Sequence, residues 1–304
     1  MLKHHNSNIV RVAPAKLNLF LHVVGANPNG LHELETLVVF TELHDVISIK
    51  PSDELKLERN GPFAKMVKVR TRDDIVFRAA TALGKLLGLE PHVQISLTKN
   101  IPVSAGLGGG SSDAAATIKS MCDLWNIESD RPEITRLAFD IGSDVPACLQ
   151  GMEALVRGTG ENITPYSLPI DQIPIVLVNP KKPLSTQTVF QNFSSPFDDR
   201  QHLYEDFDSF EALLKDLYSK TNSLTGTAER LCAEIKDALT SLGACPGCLL
   251  SRLSGSGPTC FGLFSEYKNA QEAAAKIALI RPNWWVKSTT ILKKNKPSVT
   301  GKQN

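Results

Sequence analysis

The chain has 304 residues, 42% of them hydrophobic, and a formal net charge of +1. That length suits two ordinary domains or one large one, and no apolar run is long enough to cross a bilayer. The near-zero charge excludes bulk attraction to nucleic acid or to an acidic membrane, and the opening MLKHHNSNIV lacks the apolar core of a secretory leader.

Six cysteines, Cys122, Cys148, Cys232, Cys245, Cys248 and Cys260, follow no framework spacing, which suits a reducing, cytoplasmic setting. Cys245 and Cys248 form a C-x-x-C. No second ligand pair stands at zinc-site spacing, and the pair follows a helical run and precedes a strand, the reverse of a thioredoxin-like order.

In chain order, residues 10–13 and 16–24 read as strands. The second, KLNLFLHVV, alternates so that Lys16 and Asn18 project side by side. A lysine there either has a buried partner or sits at the strand's solvated end. Residues 25–30 form a loop, and 31–50 read as two strands broken near 43–45. A short strand is expected at 65–70. A helix capped by Asp73 or Asp74 follows, running to about Leu87 with Gly88 as its stop. Residues 92–97 alternate as a strand.

That strand leads into IPVSAGLGGGSSDAAA, residues 101–116. Gly106, Gly108, Gly109 and Gly110 allow close backbone approach to a ligand, and Ser111 or Ser112 is a candidate cap for a helix reaching Trp125. Ala114, Ile118, Met121, Cys122 and Trp125 recur at helical spacing. Loop and helix start together make a phosphate cradle, the alternative being a plain capped turn. No lysine follows the glycines as in a Walker A loop, and Ser111 stands where a dinucleotide fingerprint has its third glycine.

A helix from Pro132 to about Phe139 precedes IGSDVPACLQG, where Asp144 sits on a tight turn that it either caps or uses for chemistry. Residues 158–160 mark a hairpin, and 173–178 a buried strand. The prolines around it place a domain boundary near 166–169. Helices are expected at 185–190, 207–218 and 225–242, with 193–204 irregular. The last helix shows Ala228, Leu231, Ile235, Leu239 and Leu242 on one face. Two strands flank the turn Ser254-Gly255-Ser256-Gly257. A helix at 269–280, a strand at 284–292 and a solvated basic tail with Lys293, Lys294, Lys296 and Lys302 complete the chain.

Three segments then matter jointly: Lys16 with Asn18, the 106–112 cradle, and Asp144. Phosphoryl transfer needs a phosphate cradle, a cation near the transferring group and a residue that orients or deprotonates the acceptor. On APAKLNLFLHVVG, IPVSAGLGGGSSDAAA and RLSGSGPTCFGLF, the chain resembles the GHMP kinase superfamily. With GLHELET and IGSDVP added, it is most similar to the 4-diphosphocytidyl-2-C-methyl-D-erythritol kinases within it.

The resemblance implies an α+β two-domain fold, with a ribosomal-protein-S5-like domain over residues 1–165 and a ferredoxin-like domain over 166–304. It implies a kinase that phosphorylates the 2-hydroxyl of 4-diphosphocytidyl-2-C-methyl-D-erythritol in non-mevalonate isoprenoid precursor synthesis. ATP would lie over Pro102, Val103, Ser104, Ala105, Gly106, Leu107, Gly108, Gly109, Gly110, Ser111 and Ser112, with Mg²⁺ bridging its phosphates and no protein metal ligand assigned. Lys16 and Asp144 would be catalytic, and Asn18 would fix the acceptor. Leu31, His32, Thr186 and Phe190 would hold the cytidine end, and residues 254–257 would support the phosphates. Leu31 departs from the tyrosine usual before the histidine, removing an aromatic face worth about 0.5–1.5 kcal/mol.

Overall fold

The computed structural model describes residues 8–200 and 207–293. Its spine is a hairpin of two long antiparallel strands, β1 (Ile9–Ala26) and β2 (His32–Pro51). Each was expected as two strands. They run on as one because the interruptions are absorbed as register shifts, at Pro14/Lys16, Asn18/Phe20 and Val23/Gly25. The first shift lies opposite residues 41–43, just before and overlapping the break expected near 43–45. The shifts also spoil simple alternation: Leu19 and the adjacent Phe20 enter the same core cluster.

The other edge of β2 takes three partners in turn. β5 (Ala154–Gly158) pairs with Leu34–Val38, β10 (Trp285–Leu292) touches Thr41, and β4 (Val93–Thr98) pairs with Val46–Pro51. β3 (Lys56–Asn60) lies parallel outside β4, and β6 (Asn162–Pro165) lies outside β5. The strand expected at 65–70 is a 3₁₀ turn, Ala64–Met66, followed by loop, and β3 takes the strand role. In β3, KLERN, Leu57 is the one apolar residue, so the strand carries almost no hydrophobic signal.

α1 (Ile75–Leu87) starts at Asp74, whose carboxylate accepts the Val76 N–H at 2.8 Å, and stops at Gly88 with φ 66°. α2 (Gly109–Trp125), α3 (Pro132–Ile141) and α4 (Val145–Gln150) join it over one core that includes Val76, Leu83, Ile95, Ile118, Met121 and Ile134.

The C-terminal half holds β7 (Gln172–Asn179), α5 (Thr186–Gln191), α6 (Phe210–Tyr218), α7 (Thr225–Leu231), α8 (Glu234–Gly243), β8 (Cys248–Leu253), β9 (Cys260–Phe264) and α9 (Tyr267–Ile280). Its strands are ordered β10-β7-β9-β8, all antiparallel, which with the helices between them is the ferredoxin-like β-α-β-β-α-β arrangement. The expected helix over 225–242 is two. Cys232, at φ −148° and ψ 92°, breaks it. Leu231 is therefore 41% exposed, while Ala228, Ile235 and Leu242 remain buried. No glycine or proline marks that break in the sequence.

Residues 193–200 are irregular as expected; 201–204 lie outside the described residues, as do Lys294, Lys296 and Lys302. Lys293 is tied down, its N–H donating to the Asp171 carbonyl at 2.9 Å. Among the described residues no helix is long and apolar enough to cross a membrane.

Candidate active site

A cavity of about 520 Å³ is lined by β1, β2, the glycine loop and the turns holding Asp144 and Ser256. The glycine loop is built for close contact on both sides. Gly108, at φ 59°, begins α2, and its N-terminal N–H groups have no partner within the helix. The expected caps Ser111 and Ser112 lie inside the helix. Ser112 Oγ instead donates to the Pro14 carbonyl at 2.6 Å, fastening α2 to β1. A Cβ on Gly108 would stand 3.0 Å from Lys16 Cβ and 3.1 Å from Lys16 Cε, so the lysine stem runs directly beneath the loop. A Cβ on Gly106 would stand 2.6 Å from the Ser254 carbonyl oxygen and 2.7 Å from that of Gly257. The second glycine turn therefore butts against the first, and Ser254 Oγ donates to the Gly106 carbonyl at 2.9 Å.

Lys16 is not at a solvated strand end. Its side chain is 5% exposed and its Nζ lies 2.9 Å from Asp144 Oδ2. The same ammonium donates to Asn18 Oδ1 at 3.1 Å. Asn18 Nδ2 donates to Thr36 Oγ1 at 2.8 Å, and that hydroxyl donates to the Phe20 carbonyl. Asp144 heads α4 without a side-chain cap bond, and 47% of its side chain is exposed. A desolvated cation thus meets a half-solvated acid at the rim of the glycine-lined hollow, an arrangement that can neutralise phosphate charge and orient or deprotonate a hydroxyl.

Toward the other end, His32 and Phe190 face each other with ring centroids 5.3 Å apart, tilted by 33°. Phe193 presents its edge to His32 at 5.6 Å. Thr186 Oγ1 and Ser256 Oγ are 2.8 Å apart. Leu31 is 57% exposed.

Comparison with known proteins accords with this geometry. Residues 74–152 match the GHMP kinases N terminal domain, and residues 200–279 match GHMP kinases C terminal. A 4-diphosphocytidyl-2-C-methyl-D-erythritol kinase of Rhodospirillum rubrum is 38% identical over 94% of this chain and 93% of its own. The chain belongs to the 4-diphosphocytidyl-2-C-methyl-D-erythritol kinase family. A Wolbachia member (subsp. Brugia malayi) is 41% identical over 90% of this chain and 95% of its own. A crystal structure of 4-(cytidine 5'-diphospho)-2C-methyl-D-erythritol kinase superposes with a TM-score of 0.77 at 33% identity, covering 94% of this chain and all of that one. A homoserine kinase from Cytophaga hutchinsonii, 16% identical with a TM-score of 0.66, shares the fold.

The residues implied by resemblance to this kinase family are placed unevenly. Lys16, Asn18, Asp144, Thr186, Phe190 and most of the loop from Pro102 to Ser111 line the cavity. Leu107 and Ser112 do not: Leu107 is packed in the core, and Ser112 is turned to β1. Leu31 and His32 lie outside the lining, though His32 touches Phe190, which belongs to it.

Several lining residues escaped the sequence reading. Val67, Lys68, Val69 and Ile75 line the cavity, as do Lys99, Thr159 and Gly160, while Ser256 of the expected supporting turn lines it as well. Val67 and Val69 signalled themselves by alternation, which was read as a strand. They form no strand, and Val69, 49% exposed, leaves apolar surface open beside a hollow.

Burial holds the thiols protonated. Cys148, beneath Ser112, is pushed up to about 12, and Cys248 to about 11. Cys245 is raised for the same reason, and Cys245 and Cys248 are free thiols. Raised thiols are poor nucleophiles and poor metal ligands at neutral pH. Among the described residues no cluster of three or more His, Cys, Asp or Glu could hold a metal ion.

Proposed function

We infer that the protein is an ATP-dependent kinase that phosphorylates the 2-hydroxyl of 4-diphosphocytidyl-2-C-methyl-D-erythritol, a step in non-mevalonate isoprenoid precursor synthesis. The observation that carries the reading is the Lys16–Asp144 pair, at 2.9 Å, on the edge of the glycine-lined cavity. The nucleotide phosphates lie over residues 102–112, where backbone N–H groups and the positive end of α2 receive them. Adenine fits the apolar wall of Val67, Val69, Ile75 and Leu97.

The acceptor is a tertiary hydroxyl, crowded and weakly acidic, so placement and charge neutralisation outweigh proton removal. Asn18 holds that hydroxyl's neighbourhood, Asp144 takes or orients its proton, and Lys16 neutralises the charge developing on the transferred group. The cytidine end lies by Leu31, His32 and Phe190, with Thr186 and Ser256 offering hydroxyls to the diphosphate.

Mg²⁺ would neutralise phosphate charge. It takes most of its ligands from phosphate oxygens and water. A cavity with a half-exposed carboxylate, Asp144, and no preformed cage among the described residues fits an ion carried in by the nucleotide. Residues 1–165 then serve as the nucleotide-bearing domain and 166–304 as the closing domain, supported by family matches on either side of residue 165. The setting is cytoplasmic, where ATP is available.

The test is ADP release in a coupled assay. ATP-dependent turnover with the cytidine diphosphate substrate, and none with homoserine or mevalonate, is expected. Turnover of either control in its place would assign the chain to another acceptor.

A further inference from the structure

Beneath the glycine loop lies a buried cluster that phosphoryl transfer does not use. Lys99, following β4, sends its ammonium to Asp45 of β2 and, at 2.7 Å, to Asp113 of α2. No side chain of the three is more than 5% exposed. The ammonium lies 3.4 Å from where a Cβ on Gly109 would be, and Lys99 and Asp113 both line the cavity. With both acids ionised, the cluster would place a net negative charge in a dry site directly under the nucleotide phosphates.

The two acids are served differently. Asp45 Oδ1 accepts the N–H groups of Asn100 and Ile101, and its Oδ2 takes the lysine. Asp113 Oδ2 takes the lysine, but its Oδ1 meets no N–H or O–H donor. The two carboxyls also converge on one buried ammonium, so each disfavours ionisation of the other. A buried, ionised oxygen without a donor is costly; a neutral acid is far less so.

We propose that Asp113 is held as the neutral carboxylic acid, so that the Lys99 cluster presents no net negative charge to the phosphates. Burial is the largest influence on Asp113 and pushes it well above the usual carboxylate range. Lys99 opposes that rise, and Asp45 adds to it. From the other packed elements, α4 brings the Cys148 thiol. β1 brings Lys16, occupied by Asp144, and α1 begins at Asp74, paired with Arg59. Asp113 is thus a positioning residue: it holds the Lys99 ammonium without cancelling it. The inference rests on the glycine loop being the phosphate site.

Infrared difference spectra of wild type against Asp113→Asn, with calorimetry of ADP binding, test it. At neutral pH the variant should lose an un-ionised carboxyl band and bind ADP within about twofold of wild type. Loss of a carboxylate band, or ADP affinity about tenfold tighter in the variant, would overturn the proposal by showing a charge that had opposed the phosphates. Should the variant fail to fold, wild type carrying ¹³C-aspartate gives the same readout, and absence of any un-ionised carboxyl band overturns it. Failure of wild type to bind ADP sinks the phosphate-site reading instead and leaves the infrared result standing.

Discussion

Lys16 and Asp144, from β1 and from the turn before α4, meet at 2.9 Å with very different solvation: the lysine side chain is 5% exposed, the aspartate 47%. The buried partner is held from three sides, by Asp144, by Asn18 and by the floor of Gly108. The exposed partner is free to turn toward a substrate. Such asymmetry suits a fixed cation and an adjustable acid.

Asp144→Asn should therefore bind ATP normally and turn over about 10²–10⁴ times more slowly, the usual contribution of a general base. Lys16→Met should slow turnover as well, without unfolding the chain, because the acid it abandons is half in water. Nucleotide binding measured beside ADP release separates the two properties. Unchanged turnover in Asp144→Asn removes that carboxylate from the reaction.

Two glycines separate binding from chemistry. Alanine at Gly106 would drive a methyl into the carbonyls of Ser254 and Gly257, rigid backbone on both counts, and force the two glycine turns apart. Alanine at Gly108 would press instead on the stem of Lys16. Both positions also have positive φ, which adds strain. Gly106→Ala should chiefly raise the ATP requirement. Gly108→Ala should lower kcat as well, and Gly108→Val should do both steeply. Wild-type ATP affinity in Gly108→Val would count against the cradle.

Much of this site was legible because its parts are local. A loop of four glycines before an apolar-periodic run, or a lysine two residues from an asparagine on a strand, can be read within a dozen positions. The resemblance then joined Lys16 to Asp144, which local pattern left as a choice between a turn cap and chemistry. What stayed hidden depends on distant packing. β3 is a strand because β4 offers it an edge, not because KLERN is hydrophobic. The helix break at Cys232 has no residue that demands it. Nothing local in the sequence marks Lys99, and only the approach of Asp45 and Asp113 reveals it as a buried cation.

The substitution at Leu31 carries its own expectation. The side chain is 57% exposed beside His32, whose ring is already packed by Phe190 and Phe193. Leu31→Tyr should restore an aromatic face worth about 0.5–1.5 kcal/mol, lowering KM for the cytidine substrate about two- to tenfold with KM for ATP unchanged. An unaltered acceptor KM would show that the base does not reach this residue.

Gly160 links the β5–β6 hairpin to the acid. At φ +123° its missing Cβ would lie 2.5 Å from the Ser143 carbonyl oxygen, one residue before Asp144. Gly160→Ala should push that turn and misplace the carboxylate while leaving the glycine loop intact. The expected result is a fall in kcat of about tenfold or more with ADP affinity retained, since small misplacements of reacting groups are costly. Equal loss of kcat and of ADP binding would point to general unfolding of the hairpin.

Stability should fall on the alkaline side, and the thiols set the window. Burial raises Cys122 and Cys248 to about 11 and Cys148 to about 12, and raises Cys260 further. In the unfolded chain each ionises near 8.5. A group whose folded pKa lies above its unfolded value binds more protons in the native state, so its contribution is complete below the unfolded pKa and declines as pH rises toward the folded one. Each such thiol therefore costs about 1.4 kcal/mol of stability per pH unit above that point. The urea midpoint should hold steady to about pH 8 and then drop through pH 10. The slope should be shallower in Cys122→Ala, which removes one of the contributing groups. A midpoint that stays level from pH 8 to 10 would mean that these sulfurs ionise as readily folded as unfolded, and that the interior around them is wet.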